Sequence, residues 1–126
     1  MKKLLTFGLL LACSLSNAAT WKFYGNHDSG KLYIDTDSLG YIDAAKTMRK
    51  AWIKIQVVQN GTEYRKGQYL MILHYFDCKN DRFKIDDFIH YGTNGRVITS
   101  SKDSTNWINN VPESNMANLT RDICKI

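Results

Sequence analysis

The sequence predicts an α+β fold, in which an antiparallel sheet of about five to six strands carries one C-terminal helix on a face and is tied to it by one disulfide. Three observations predict it. Apolar residues recur with period two through most of the chain after Trp21, turn-forming pairs such as Asn60-Gly61 and Asn94-Gly95 punctuate those runs, and near the end the period lengthens to three and four.

Trp21 to Tyr24 and Lys31 to Asp35 read as two short strands around Asp28-Ser29-Gly30. From Arg49 to Val58, Ala51, Ile53, Ile55 and Val57 fall on one face and Lys50, Lys54 and Gln56 on the other, with Trp52 interrupting the polar side. From Gln68 to Cys78, Leu70, Ile72, Phe76 and Cys78 share a face and Tyr69, Met71, Leu73 and Tyr75 oppose them. A strand apolar on both sides is either central in its sheet or faces a partner. Arg82 to Tyr91 follows, where Phe83, Ile85, Ile89 and Tyr91 alternate with Lys84, Asp86, Phe88 and His90, and Val97-Ile98-Thr99 makes a last short strand. Lys79-Asn80-Asp81 lies tightly between two of these runs, so an antiparallel meander is the economical connection. In the final segment Met116, Leu119 and Ile123, with Thr120 and Cys124 one step round, form the stripe of a helix. Ser114 is its expected cap and Pro112 marks the break before it.

Residues 1–18 read as a signal peptide and residues 19–126 as one domain. Lys2 and Lys3 form a basic start, Leu4 to Leu11 is almost unbroken apolar sequence, and Ser14 to Ala19 is small and polar. The apolar run is shorter than the roughly 20 residues a membrane helix needs. Cleavage after Ser16-Asn17-Ala18 gives a soluble periplasmic or secreted product. Leu10-Leu11-Ala12-Cys13 is the competing reading, a lipobox in which a lipidated Cys13 anchors the protein to the outer membrane or cell surface. A membrane association is expected only in that second case.

Loss of Lys2 and Lys3 lowers the formal charge from +5 to +3, a mild excess that argues against a nucleic-acid partner, as export also does. If Cys13 belongs to the leader, Cys78 and Cys124 remain, and an even pair in an oxidising compartment reads as one disulfide. Two separate buried thiols are the alternative. A zinc pair is disfavoured because the two cysteines lack the close spacing of a knuckle.

No catalytic residue, cofactor or metal is expected. The chain has no Gly-x-Ser-x-Gly elbow, no His-Glu-x-x-His, no phosphate-binding glycine loop and no glutamate pair placed like a glycosidase dyad. His27, His74 and His90 in one place would make a metal or haem site, but solvent-facing or partly satisfied histidines are the expectation. Asp35, Asp37, Asp86 and Asp87 lack calcium-loop spacing and read as turn and solvent-face carboxylates.

Aromatic residues are abundant, among them Trp21, Tyr24, Tyr33, Trp52, Tyr64, Tyr69, Tyr75, Phe88, Tyr91 and Trp107. Tyr, Trp, Met and basic residues are common in protein interfaces, so Tyr69, Met71, Leu73 and Tyr75 form a candidate surface for a protein ligand or a second copy in a homodimer. The bland alternative is a small domain that covers its second sheet face with its own rings.

Leu32-Tyr33-Ile34-Asp35-Thr36-Asp37-Ser38-Leu39, Tyr75-Phe76-Asp77-Cys78-Lys79-Asn80 and the C-terminal Trp107, Pro112-Glu113-Ser114 and Ile123-Cys124, in this order, resemble the surface-adhesin protein E family over nearly the whole chain after the leader. The resemblance implies a C-terminal helix packed on an antiparallel sheet, with the final cysteine in that helix. It also implies a binding role at the envelope, after a founding lipoprotein adhesin that binds host extracellular-matrix proteins. Asp35 and Ser38 are expected to close a turn through side-chain to backbone hydrogen bonds. The expected function is an exported binding module. The alternatives are a periplasmic accessory or structural domain without a host ligand and, further off, a small metal-dependent enzyme.

Overall fold

The computed structural model describes residues 19–28 and 30–126; the leader and Cys13 lie outside them. The strands are β1 (Trp21–His27), β2 (Gly30–Asp35), β3 (Gly40–Tyr41), β4 (Met48–Val57), β5 (Tyr69–Asp77), β6 (Arg82–Tyr91), β7 (Val97–Ser101) and β8 (Ile108–Asn109), and the helix is α1 (Asn115–Lys125). They form one sheet in the order β1-β2-β4-β5-β6-β7, with the two-residue β3 and β8 added to β4 and β6. Every pairing is antiparallel. The strand apolar on both sides, β5, is central, between β4 and β6.

Register follows the apolar pattern, because a one-residue slip would turn every buried side chain to the other face. Ile53 lies opposite Ile72 and Ala51 opposite His74. These residues share the inner face, where Leu32, Ile34, Ala51, Ile53 and Phe76 bury against Leu119 and Ile123 of α1. At Gly30 the sheet is too close for a side chain, since a Cβ there would meet Ile55 Cγ2 at 2.6 Å and the Gln56 carbonyl oxygen at 3.0 Å.

The alternation in β6 departs from its sequence pattern. A β-bulge opposite Leu73 and His74 shifts the register, so that His74 pairs with Ile85 but Leu73 pairs with Asp87. One extra residue is absorbed, and the facing reverses beyond it. Phe88 and His90 therefore join Phe83 and Ile85 on the inner face, while Ile89 and Tyr91 turn outward with Lys84 and Asp87. A strict period of two cannot reveal this.

Asp35 and Ser38 make the expected turn. Asp35 Oδ1 accepts from the backbone N–H of Asp37 and of Thr20, both at 3.1 Å, and Ser38 Oγ donates to the Asp35 carbonyl at 2.8 Å. Ser38 Oγ also accepts from the Trp52 N–H at 2.9 Å, which fastens the turn to β4. The β5–β6 turn is built on the fully buried Asp77. Its carboxylate accepts from the backbone N–H groups of Lys79 and Asn80, from Asn80 Nδ2 and, at 2.7 Å, from Arg82 Nε. Burial opposes its charge, but the Asn80 and Arg82 hydrogen bonds and these N–H groups outweigh burial and hold the carboxyl below its usual range.

The helix is capped locally and tied to the rest of the fold by side chains, among them Asn110, whose Nδ2 donates to Thr120 Oγ1 at 3.0 Å. Ser114 caps its start by accepting from the Ala117 N–H at 3.1 Å. Tyr24 of β1 donates its hydroxyl to Asp122 at 2.5 Å, and burial together with that carboxylate pushes the phenol up to about 12. Arg49 of β4 reaches the last helical turn. Cys78, just past β5, is joined to Cys124, with Cα atoms 5.8 Å apart.

Candidate functional site

The face of the sheet turned away from α1 is the candidate site. The β5 residues Tyr69, Met71, Leu73 and Tyr75 stand in a row on it, opposite Gln56, Lys54, Trp52 and Lys50 of β4. On the other side they meet Tyr91, Ile89, Asp87 and Lys84 of β6. Lys54 lies opposite Tyr33 of β2, and Tyr33 opposite Phe23 of β1, so the apolar row continues to the edge of the sheet. Most of these side chains are half-buried by their neighbours, while Phe23 is 51% exposed.

Stacking organises the layer. The Tyr69 and Tyr91 rings lie nearly parallel at 4.6 Å, and Phe23 meets Tyr33 edge-on at 5.6 Å. Two lysines are lodged among the rings. Lys54 Nζ is 4.9 Å from the Tyr69 centroid and 5.8 Å from that of Trp21, and Lys84 Nζ is 5.2 Å from Tyr75 and 5.1 Å from Trp107. Arg82 also covers Trp107, at 4.8 Å. Ring faces attract cations electrostatically, by about 0.5 to 1 kcal/mol at exposed sites. Both lysines are half-buried, and this attraction biases each ammonium toward its rings.

Tyr69, Met71, Leu73 and Tyr75 are thus brought together as the sequence implies. The two ring-held lysines, with Phe23 and Ile89, were not legible as members of the site. Lys54 carried the signal of an outward position in β4, but its stacking partners come from β1 and β5, which only the register brings beside it.

The histidines do not converge on a ligand site, and among the described residues no group of three His, Cys, Asp or Glu side chains is placed to hold a metal. His74 is buried in the inner face beside Phe76 and Phe83, and its Nδ1 lies 3.4 Å from the Ile72 carbonyl. Burial pushes its pKa down to about 4, so it is neutral at ordinary pH. His90 Nε2 bonds Gln68 Oε1 at 2.9 Å and the ring packs edge-on against Tyr64, while His27 lies near the edge of β1 beside Asp28. His90 is thus partly satisfied, while the His27 contact with Asp28, at 3.8 Å, is longer than a hydrogen bond. Of the aspartates, Asp37 accepts from Thr20 Oγ1 at 2.6 Å and Asp86 from Ser104. A groove of about 690 Å³ runs between the β5–β6 turn and α1, past the disulfide. Its Asp81 is already engaged by Asn110 at 2.8 Å.

The family described as surface-adhesin protein E matches residues 21–125. The chain belongs to that family. The match spans every strand and the helix, so the sheet, its outer aromatic face and the helix tether are all parts of a surface-adhesin protein E domain. No curated protein matches the chain. No helix among the described residues is long and apolar enough to cross a membrane.

Proposed function

We propose that this surface-adhesin protein E domain is an exported, non-enzymatic binding module of the bacterial envelope, and that its partner is a protein held on the outer face of β4, β5 and β6. The observation that carries the reading is the continuous layer of Trp52, Tyr69, Met71, Leu73, Tyr75, Ile89 and Tyr91 on the face opposite the helix. Tyr and Trp supply large contact area at low conformational cost, and aromatic and Met side chains are enriched in protein interfaces. The family is described as a surface adhesin, and the partner class we propose is host extracellular-matrix proteins.

Solid-phase binding of the purified protein to immobilised matrix proteins tests this. Leu73→Asp, at the middle of the face, is expected to abolish binding while the thermal transition and circular dichroism stay close to wild type. Undiminished binding by a folded Leu73→Asp protein would remove the outer face from the interaction.

The address is proposed from the leader: residues 1–18 are removed and the product starts at Ala19. The mass of the mature N-terminus after cell fractionation decides it. An unmodified Ala19 in the soluble fraction supports a periplasmic or secreted protein, and an acylated Cys13 in the membrane fraction makes it a lipoprotein instead.

A further inference from the structure

We infer that the segment this face recognises is an extended, acidic stretch of a protein, with carboxylates at its two ends and apolar residues between. This rests on the protein-binding reading of the same face and specifies its ligand.

Charge complementarity carries it. Among the described residues the ion pairs are His27–Asp28, Arg82–Asp77 and Arg121–Asp122, so neither Lys54 nor Lys84 has a carboxylate partner. Each is instead steadied by two rings. Lys54 stands opposite Met71 and Lys84 opposite Tyr75, on the two sides of β5 and four residues apart along it. With about 3.4 Å per residue along a strand and about 4.8 Å between strands, their backbones are roughly 17 Å apart on a diagonal that passes over Leu73. Side chains two, four or six positions apart point the same way in an extended chain. Acids four or six positions apart therefore reach both lysines, and the residues between them lie on Met71 and Leu73.

The rest of the face narrows the choice. Asp86 and Asp87, at the β6 bulge, flank the middle of that diagonal and repel an acid placed at the centre of the segment. A sulfated glycan offers anions but nothing apolar to cover Met71 and Leu73. A second copy packed face to face about an axis through Leu73 would bring the Asp86 and Asp87 carboxylates of both copies together at the centre, where like charges oppose it.

The probe is a short synthetic peptide with two glutamates six positions apart and Leu and Val between them, titrated into the full-length protein by fluorescence anisotropy. Binding is expected to weaken about fivefold to tenfold with Lys54→Gln or Lys84→Gln, with glutamine for either glutamate of the peptide, and with added salt. A peptide with a third glutamate at its centre is expected to bind more weakly than the parent. No detectable binding, equal binding of the all-glutamine peptide, or lysine variants indistinguishable from wild type would each overturn the inference. So would a heparin fragment that binds the face more tightly than the peptide. If matrix-protein binding is lost with Leu73→Asp but kept with both lysine variants, the protein-binding face stands and only its acidic specificity falls. If Leu73→Asp keeps matrix-protein binding, the reading of the face itself has failed.

Discussion

Arg49 of β4 donates from Nη1 to the Ile123 carbonyl of α1 at 2.9 Å, closing the C-terminal end of the helix with a charge from the sheet. It also donates to the main-chain oxygen of Ile126 and lies over the Tyr41 ring at 4.6 Å. Arg49 is buried, and its Nε has no partner. The guanidinium is tolerated there because the last-turn carbonyls carry the negative end of the helix dipole, and the Ile123 oxygen, which also accepts the Ile126 N–H at 3.4 Å, has a second lone pair for it.

Arg49→Met should destabilise the protein by about 2 to 3 kcal/mol, the cost of the lost charged hydrogen bonds to Ile123 and Ile126. Arg49→Lys should recover only part of this, because an ammonium cannot reproduce the planar fork over Tyr41. Urea denaturation measures both, and wild-type stability in Arg49→Met would show that the disulfide and the Tyr24–Asp122 bond suffice to hold the helix end.

Replacing Cys78 and Cys124 together by Ser should lower stability. The bridge spans 46 positions, for which the chain-entropy model gives about 4 kcal/mol as an upper figure. Reductant should lower the wild-type denaturation midpoint toward that of the double variant and leave the variant itself unchanged.

His74 predicts an acid sensitivity whose direction is fixed by its burial. Its pKa is about 4 in the folded protein against 6.5 when unperturbed, so between those values the unfolded chain binds the extra proton. Stability therefore falls as pH drops from about 6.5 to about 4, by about 3 kcal/mol in all. Asp77, held below its usual range, adds its own loss only at lower pH, as acid protonates it in the unfolded chain first. In His74→Leu the slope between about 6.5 and about 4 should flatten. A slope equal to wild type would place the titrating group elsewhere.

Ser114→Ala should destabilise by about 1 kcal/mol through the loss of the cap to the Ala117 N–H, and Ser114→Asp should restore most of it. Thermal denaturation followed by circular dichroism checks the pair.

The sequence by itself determined the local features. Alternating apolar residues specified β4 and β5, the Asn-Gly and Lys79-Asn80-Asp81 turns set their antiparallel order, and Ser114 with the stripe Met116, Leu119, Ile123 specified the helix. Each depends on residues within one element, where side-chain period and capping are short-range properties. The pairing of Cys78 with Cys124 was legible as well, from the count of cysteines. Tertiary structure decided what depends on register. The bulge in β6 turned Phe88 and His90 inward and sent Ile89 and Tyr91 to the outer face, against the unbroken alternation of the sequence. His74, polar in the sequence, became a core residue because its place in β5 falls between Ile72 and Phe76 on the face that bears the helix. Lys54 found Trp21 and Tyr69, and Lys84 found Tyr75 and Trp107, through strand neighbours remote in the chain. Which side chains meet across a sheet is set by backbone pairing and the core it must bury, and no single strand carries that information alone.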